Sequence, residues 1–149
     1  MGYAQDTKKS VDQLNSYLRG ELSAVETYRL ALEKIDDNDS ARATLQTCME
    51  SHRTRVSQIR QSILAVGGTP SDGSGAWGAF AKAVEGSATV FGDKAAIAAL
   101  EAGEDRGLAD YRVDTTKLDA VSRELVTSKL LPEQEQTHRN MSILKKQLQ

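Results

Sequence analysis

Apolar side chains recur at helical spacing along four long stretches of the sequence, and this pattern constrains the fold more than any other feature. Within residues 6–35 and 39–66, and again from residue 93 onward, they step by three or four positions or by sums of these, which is the spacing of one helix face. The spaced side chains are Val11, Leu14, Leu18, Val25, Leu32, Ile35, Leu45, Met49, Val56, Ile59, Ile63, Val66, Ile97, Leu100, Leu108, Leu118, Val121, Leu125, Leu131, Met141, Leu144 and Leu148. The chain has only two prolines among 149 residues and many good helix formers, so an all-α fold is expected.

Turn signals divide these stretches into four helices. The segment "DDNDS" ends the first helix, and Gly67-Gly68 followed by Pro70 ends the second. The third helix starts at Gly92-Asp93 and the fourth near Asp119, with Pro132 interpreted as a kink rather than a stop.

Short links make antiparallel hairpins of residues 6–66 and 93–148. The connector, residues 67–92, contains an amphipathic segment at 76–91 that would span ~24 Å as a helix. We therefore expect one domain, residues 1–149, folded as a four-helix bundle with a long crossover that contains a short helix.

Composition excludes several functional classes. The net charge is −2 with both signs interspersed, which argues against a nucleic-acid partner. No apolar run approaches the ~18 residues of a membrane span, and the single cysteine cannot form an intrachain disulfide. The sequence predicts a cytoplasmic protein that contacts neither membranes nor nucleic acid.

A spaced pattern, G-E-x6-Y-R, occurs twice, as "GELSAVETYR" and 83 residues later as "GEDRGLADYR". Glu21 and Tyr28 occupy inward positions of the first helix, seven residues apart and therefore nearly on one face. Glu104 and Tyr111 hold the equivalent positions in the third helix. The repeat therefore predicts matching polar groups inside both halves of the bundle.

The two histidines of the chain also fall on inward lines. His52 lies between Met49 and Val56, and the i,i+3 pair of Glu135 and His138 lies between Leu131 and Met141. Counting from the turns near residues 38 and 118, the polar groups of each hairpin lie about 14–17 residues away and should pack at similar levels. We therefore expect three carboxylates and two imidazoles to converge in the middle of the bundle.

Buried carboxylates that face one another need compensating positive charge. A divalent cation supplies it, and oxygen and imidazole ligands suit iron, manganese or zinc. One Glu from each of two helices, together with Glu-x-x-His from each of the other two, is the arrangement of carboxylate-bridged dimetal sites in helical bundles.

At these residues the sequence resembles the ferritin-like superfamily, and most closely an uncharacterised family of short bacterial four-helix proteins with that fold. The resemblance extends over nearly the whole chain, including "LNSYLRGELSAVETYRLAL" and "ALEAGEDRGLADYR". It implies binding of one or two iron or manganese ions, chemistry with oxygen or peroxide, and a homo-oligomer.

The resemblance assigns roles residue by residue. It implies that Glu21 and Glu104 are terminal metal ligands, that His52 and His138 each bind one metal, and that Glu135 bridges the two. The residue that would supply the second bridge is Met49, which departs from the family pattern. Tyr28 and Tyr111 would donate hydrogen bonds to ligand carboxylates, and Arg55 would bring a positive charge near the site.

The alternative is a metal-free polar layer in which Glu–His, Glu–Tyr and Glu–Arg55 pairs satisfy one another. On that interpretation the protein is not an enzyme, and it acts structurally or in a stress response through self-association or a protein partner. The sequence leaves both functions open.

Overall fold

The structure, a computed structural model, describes residues 2–35, 39–73, 92–112 and 115–148, and every regular element in these ranges is helical. In chain order the elements are α1 (Gly2–Lys34), α2 (Asp39–Ala65), α3 (Asp93–Arg112), a 3₁₀ turn (Thr115–Lys117), α4 (Ala120–Leu125), a π-helical turn (Val126–Leu130) and α5 (Leu131–Gln147). The last three form one continuous rod, because the residues at both junctions keep helical φ and ψ angles. Pro132 therefore does not stop the fourth helix, as predicted.

Contacts near both ends show that sequential helices pack as antiparallel pairs. Arg42 of α2 reaches the Leu32 carbonyl of α1, and Asn15 reaches the Thr69 carbonyl just beyond the other end of α2. In the second pair, Lys145 of α5 lies beside Glu101 at one level of α3. These pairs correspond to the two predicted hairpins.

Contacts between the hairpins fix the remaining directions. Tyr28 of α1 bonds to Glu104 of α3, and Tyr111 bonds back to Glu21, so α1 and α3 are antiparallel. The same reasoning applies to α2 and α5, where Cys48 lies against Thr137 while Arg55 reaches Gln134. It follows that α2 and α3 run in the same direction. The short helix predicted at 76–91 falls among residues 74–91, outside the described part of the chain.

Local contacts set two of the helix ends. The fourth helix begins near Asp119, as predicted, and Asp119 caps α4, since its Oδ1 accepts a hydrogen bond from the Ser122 amide at 2.7 Å. The hydroxyl of Ser10, buried in α1, donates to Asp119 Oδ2 and ties that end to the first helix. At the end of α2, Gly67 has φ +77° and both Gly67 and Gly68 donate back to carbonyls of the last turn, which is the Schellman arrangement.

The interior contains two apolar clusters with a polar layer between them. One cluster lies near the turn between α1 and α2, and its buried members are Tyr28, Ala31, Ile35, Ala41, Leu45, Cys48, Ile97, Leu100, Met141 and Leu144. The other lies toward the opposite end, and its buried members are Leu14, Tyr17, Leu18, Val56, Ile59, Ile63, Tyr111, Leu118, Val126 and Leu130. Val66 and Val121 were expected on inward lines but are exposed, because each lies at the end of its helix. The four-helix packing thus places a buried polar layer at mid-length.

None of the helices in the described part of the chain is apolar over the length that a membrane crossing requires.

Candidate functional site: a buried ion network

The polar layer contains two carboxylates and two basic side chains that are almost completely removed from solvent. Glu21, His52, Arg55 and Glu104 are each at most 4% exposed. One comes from α1, two from α2 and one from α3, so the layer crosses the bundle. Unpaired charges in such a place would be costly, so their pairing determines what the site can do.

His52 lies between the two carboxylates. Its Nδ1 is 2.5 Å from Glu21 Oε2, and its Nε2 is 2.7 Å from Glu104 Oε1. An ionised carboxylate only accepts hydrogen bonds, so both ring nitrogens must donate. His52 is therefore an imidazolium that joins the two halves of the repeat.

Arg55 lies one helical turn beyond His52 and is the second buried cation. Its Nη1 is 3.4 Å from Glu21 Oε1 and also donates to Gln134, while Nη2 donates to Thr137 Oγ1 at 3.1 Å. Arg55 therefore places a positive charge beside Glu21. Two cations thus balance two carboxylates inside the bundle.

The tyrosines of the repeat bond across the bundle to each other's glutamate. Tyr28 Oη donates to Glu104 Oε1 at 2.7 Å, and Tyr111 Oη donates to Glu21 Oε1 at 2.6 Å. Because α1 and α3 are antiparallel, a Glu and a Tyr seven residues apart on each helix face the Tyr and the Glu of the other. The repeat therefore encodes a reciprocal pair of contacts.

Two neutral side chains of α5 complete the network. Gln134 Nε2 donates to Glu104 Oε2 at 2.8 Å and to the Glu104 carbonyl at 3.0 Å. Thr137 Oγ1 donates to the same Oε2 at 2.8 Å. Gly107 makes room for this contact, since a Cβ there would lie 2.7 Å from Gln134 Nε2. Each oxygen of both carboxylates therefore accepts at least one hydrogen bond.

The pairing keeps both carboxylates ionised. Burial alone would raise the pKa of Glu21, but the charges of Arg55 and His52 outweigh burial and hold the pKa below its ordinary value. Burial likewise opposes ionisation of Glu104, yet His52 and the hydrogen bonds from Tyr28 and Thr137 lower its pKa. Both groups are negative at neutral pH.

The same fields keep the donors protonated. Burial would lower the pKa of His52, but Glu21 and Glu104 raise it above its ordinary value. Burial and the facing carboxylates raise the pKa of Tyr28 and Tyr111 well above that of a free phenol. These directions favour two buried carboxylates, Glu21 and Glu104, matched by two buried cations, His52 and Arg55.

Glu135 and His138 do not join this layer, and the expectation that they face inward is wrong. Glu135 is partly exposed, with its Oε2 4.0 Å from Arg112, and the half-buried His138 contacts Asp105 on the outer side of α3. The inward positions are Gln134 and Thr137, one residue earlier in each case. One residue along a helix rotates a side chain by about 100°, so the pair lies outside the core.

The error in the predicted inward positions begins at two adjacent leucines, Leu130 and Leu131, where the π-helical turn meets α5. The prediction counted from Leu131, whereas Leu130 is the fully buried one. Counting back from Leu144 by alternating steps of three and four gives 141, 137, 134 and 130, a signal that would have identified the inward line. The prediction did not include Gln134 and Thr137, because it was based on carboxylate and imidazole side chains as metal ligands.

Met49 was expected on the inward line of α2, at the position of the missing bridge. It is only partly buried, and Cys48 is the residue that faces the core. Burial raises the pKa of the Cys48 thiol to about 12, so this side chain is an uncharged part of the apolar cluster.

A comparison with known protein families identifies the family of this chain. A family described as "Domain of unknown function (DUF2383)" matches residues 9–113, which is more than half of the chain. The chain belongs to this family. The matched region contains Glu21, His52, Arg55 and Glu104, so most of the ion network lies within it. No curated protein and no solved structure matches the chain.

The buried groups, as arranged, do not fit the expected metal centre. The two carboxylates approach opposite ring nitrogens of His52, so one ion at either nitrogen would face only one of them. Among the described residues, the His, Cys, Asp and Glu side chains that bring three ligand atoms within 4.8 Å of one another are Glu101, Asp105 and His138, outside this layer. Arg55 adds a fixed charge that repels a cation.

A small cavity adjoins the network between α1 and α3. Its volume is about 60 Å³, and its lining includes Gly20, Ala24, Gly103 and Gly107 together with the buried Glu21. The small side chains on both helices leave this space open, and it can hold a few molecules of the size of water.

Replacing Arg55 by methionine should destabilise the fold strongly. The substitution leaves Glu21 buried without its guanidinium, which typically costs about 3–5 kcal/mol of unfolding free energy. The control is Arg53→Met, two residues away, where the arginine forms an exposed pair with Glu50 and its loss should change stability by less than about 0.5 kcal/mol. Urea denaturation measures both, and equal stabilities for the two variants would contradict the charge-balance account.

Stability should depend on pH with a maximum between about pH 4.5 and 6.5. The lowered carboxyl pKa values contribute stability that is lost as the pH falls below their ordinary value of 4.5. The raised pKa of His52 contributes stability that is complete below 6.5 and is lost as the pH rises, by up to about 1.4 kcal/mol per pH unit.

The alkaline loss should persist in His138→Gln, which leaves His52 as the only histidine. Urea denaturation at a series of pH values tests this, and a stability that stays constant above pH 6.5 in that variant would rule out a buried imidazolium.

Proposed function

We propose that the protein is a non-enzymatic bundle of ferritin-like arrangement in which its own cations replace a metal centre, and that it acts by self-association. The observation that carries this proposal is the complete burial of Arg55 beside Glu21. Together with His52 it supplies the two positive charges that Glu21 and Glu104 require. A core that is already neutral has no electrostatic need for a bound cation.

The helix directions support the ferritin-like part of the proposal. Since α2 and α3 run in the same direction, α2 ends at the end of the bundle opposite to the one where α3 begins. These directions agree with the long crossover that the sequence predicts for residues 67–92, a connection that distinguishes ferritin-like bundles from simple up-and-down ones.

The filled hydrogen bonds support the non-enzymatic part. Both nitrogens of His52 donate to carboxylates, so neither carries a lone pair for a substrate or a metal. Arginine does not release its proton at physiological pH, so Arg55 cannot act as a base. A general acid or base needs a group that can exchange its proton, and these groups hold theirs.

The surface supports action through a second copy of the chain. Val121 is 79% exposed, and together with Val66 it lines a groove at one end of the bundle. Basic side chains, Lys9 and Arg123, line the same groove. We place the self-association contact in this groove, because apolar side chains surrounded by a rim of charged ones are typical of protein–protein interfaces.

The competing function is iron or manganese binding with oxygen or peroxide chemistry. The cavity of about 60 Å³ beside Glu21 and Glu104 favours this competing function, because it has room for a small molecule such as oxygen or peroxide. This function requires the buried groups to bind an ion in place of their present pairing. Iron or manganese binding by the buried groups is therefore the result that would contradict our proposal.

The buried layer should remain metal-free when iron and manganese are abundant. The test uses the double variant Asp105→Asn/His138→Gln, which removes two of the three residues of the surface cluster of Glu101, Asp105 and His138, expressed in medium supplemented with both metals. Elemental analysis should find far less than a stoichiometric ion, and added Fe(II) or Mn(II) should not raise the melting temperature. A stoichiometric ion that disappears in the further variant Glu21→Gln would establish the competing function.

Substitution of Val121 by aspartate should weaken self-association without unfolding the protein. The position lies in the first turn of α4, where a carboxylate is favourable, so stability should not fall. Ile143→Asp, an exposed apolar position toward the other end of the bundle, is the matched control. Light scattering after size exclusion should give an oligomer for the wild type and the control and a monomer for Val121→Asp, whereas a monomeric wild type would refute self-association.

A further inference from the structure

We propose that a divalent cation such as Zn²⁺ binds on the outer side of the interface between α3 and α5, held by Glu101, Asp105 and His138. Each of these residues offers one ligand atom, and the three atoms lie within 4.8 Å of one another. The site is separate from the buried network, because Asp105 is exposed whereas its neighbour Glu104 points into the core.

The helices bring the three side chains together. Glu101 and Asp105 are four residues apart on α3 and share one face. His138 projects from the antiparallel α5, and its Nε2 lies against Asp105 Oδ1. Two packed helices therefore fix the ligand positions, which favours binding because little has to be ordered.

The ligand set has the chemistry of a transition-metal site. One imidazole nitrogen and two carboxylate oxygens are common ligands of Zn²⁺, and two carboxylates with a neutral imidazole balance its charge. Metal–ligand distances of about 2.0–2.2 Å require the three atoms to draw closer together, which rotation of partly exposed side chains allows. Water fills the remaining coordination positions because the cluster is open to solvent.

One neighbouring cation competes for the site. Lys145 Nζ lies 3.9 Å from Glu101 Oε2, and this lysine is partly exposed. A flexible side chain at the surface can turn into solvent at low cost, since such pairs contribute little. Displacement of Lys145 by a doubly charged ion is therefore favourable, and the ion would tie α3 to α5 beside the Thr137–Glu104 contact.

Zinc titration followed by calorimetry at neutral pH, on the full chain without an affinity tag, tests the proposal. We expect the wild type to bind a stoichiometric ion, and His138→Gln and Asp105→Asn each to weaken binding by more than ~100-fold. Loss of a side chain that hydrogen-bonds to a metal ligand already lowers metal affinity by about 10–100-fold, so loss of a ligand itself should lower it further. Zn²⁺ should also raise the melting temperature of the wild type and not of these variants.

The matched controls are Glu135→Gln on α5 and Asp110→Asn on α3, which each remove a carboxylate from the same helices but are not among the three residues of the cluster. Their zinc affinity should stay within a few-fold of the wild type. Absence of binding by the wild type would overturn this inference and leave the proposed function intact. Binding that survives in both ligand variants would also overturn it, and if that binding were lost in Glu21→Gln the metal-free core would be refuted as well.

Discussion

The fold depends on one buried imidazolium. His52 donates to a glutamate on each side, and without its charge two carboxylates would share a dry interior. The free-energy cost of removing both carboxylates from water is offset because His52 and Arg55 pair with them and each of their oxygens accepts a hydrogen bond. The helices therefore have to meet in one register, since a shift of one residue would separate these partners and leave charges buried alone.

The internal repeat has a physical meaning in this network. Glu and Tyr stand seven residues apart on two antiparallel helices, so the hydroxyl from each half bonds to the carboxylate of the other half. The two histidines differ in position: His52 lies inside the bundle, while the half-buried His138 contacts Asp105 on the outer side of α3. The symmetry of the sequence is thus kept by α1 and α3 and lost between α2 and α5.

Much of the fold, and the inward positions of three of the five predicted ligand residues, could be read from the sequence. Long helical periodicity, the glycine pair after α2 and the helix start near Asp119 indicated four helices, and inward spacing placed Glu21, His52 and Glu104 in the interior. Glu135 and His138 could not be placed reliably, because Leu130 and Leu131 are both apolar and a one-residue choice between them rotates the following helix face by about 100°. Residues 74–91, including the predicted connector helix, lie outside the described chain.

The sequence by itself determined which residues are able to form the polar layer: helical spacing is local, so the inward lines of α1, α2 and α3 follow from chain order alone. Only the tertiary structure decided how the layer is neutralised. Arg55 reaches Glu21 across 34 positions of sequence, and Gln134 and Thr137 reach Glu104 across about as many. Such pairing depends on the relative rotation and height of packed helices, which the whole core fixes together.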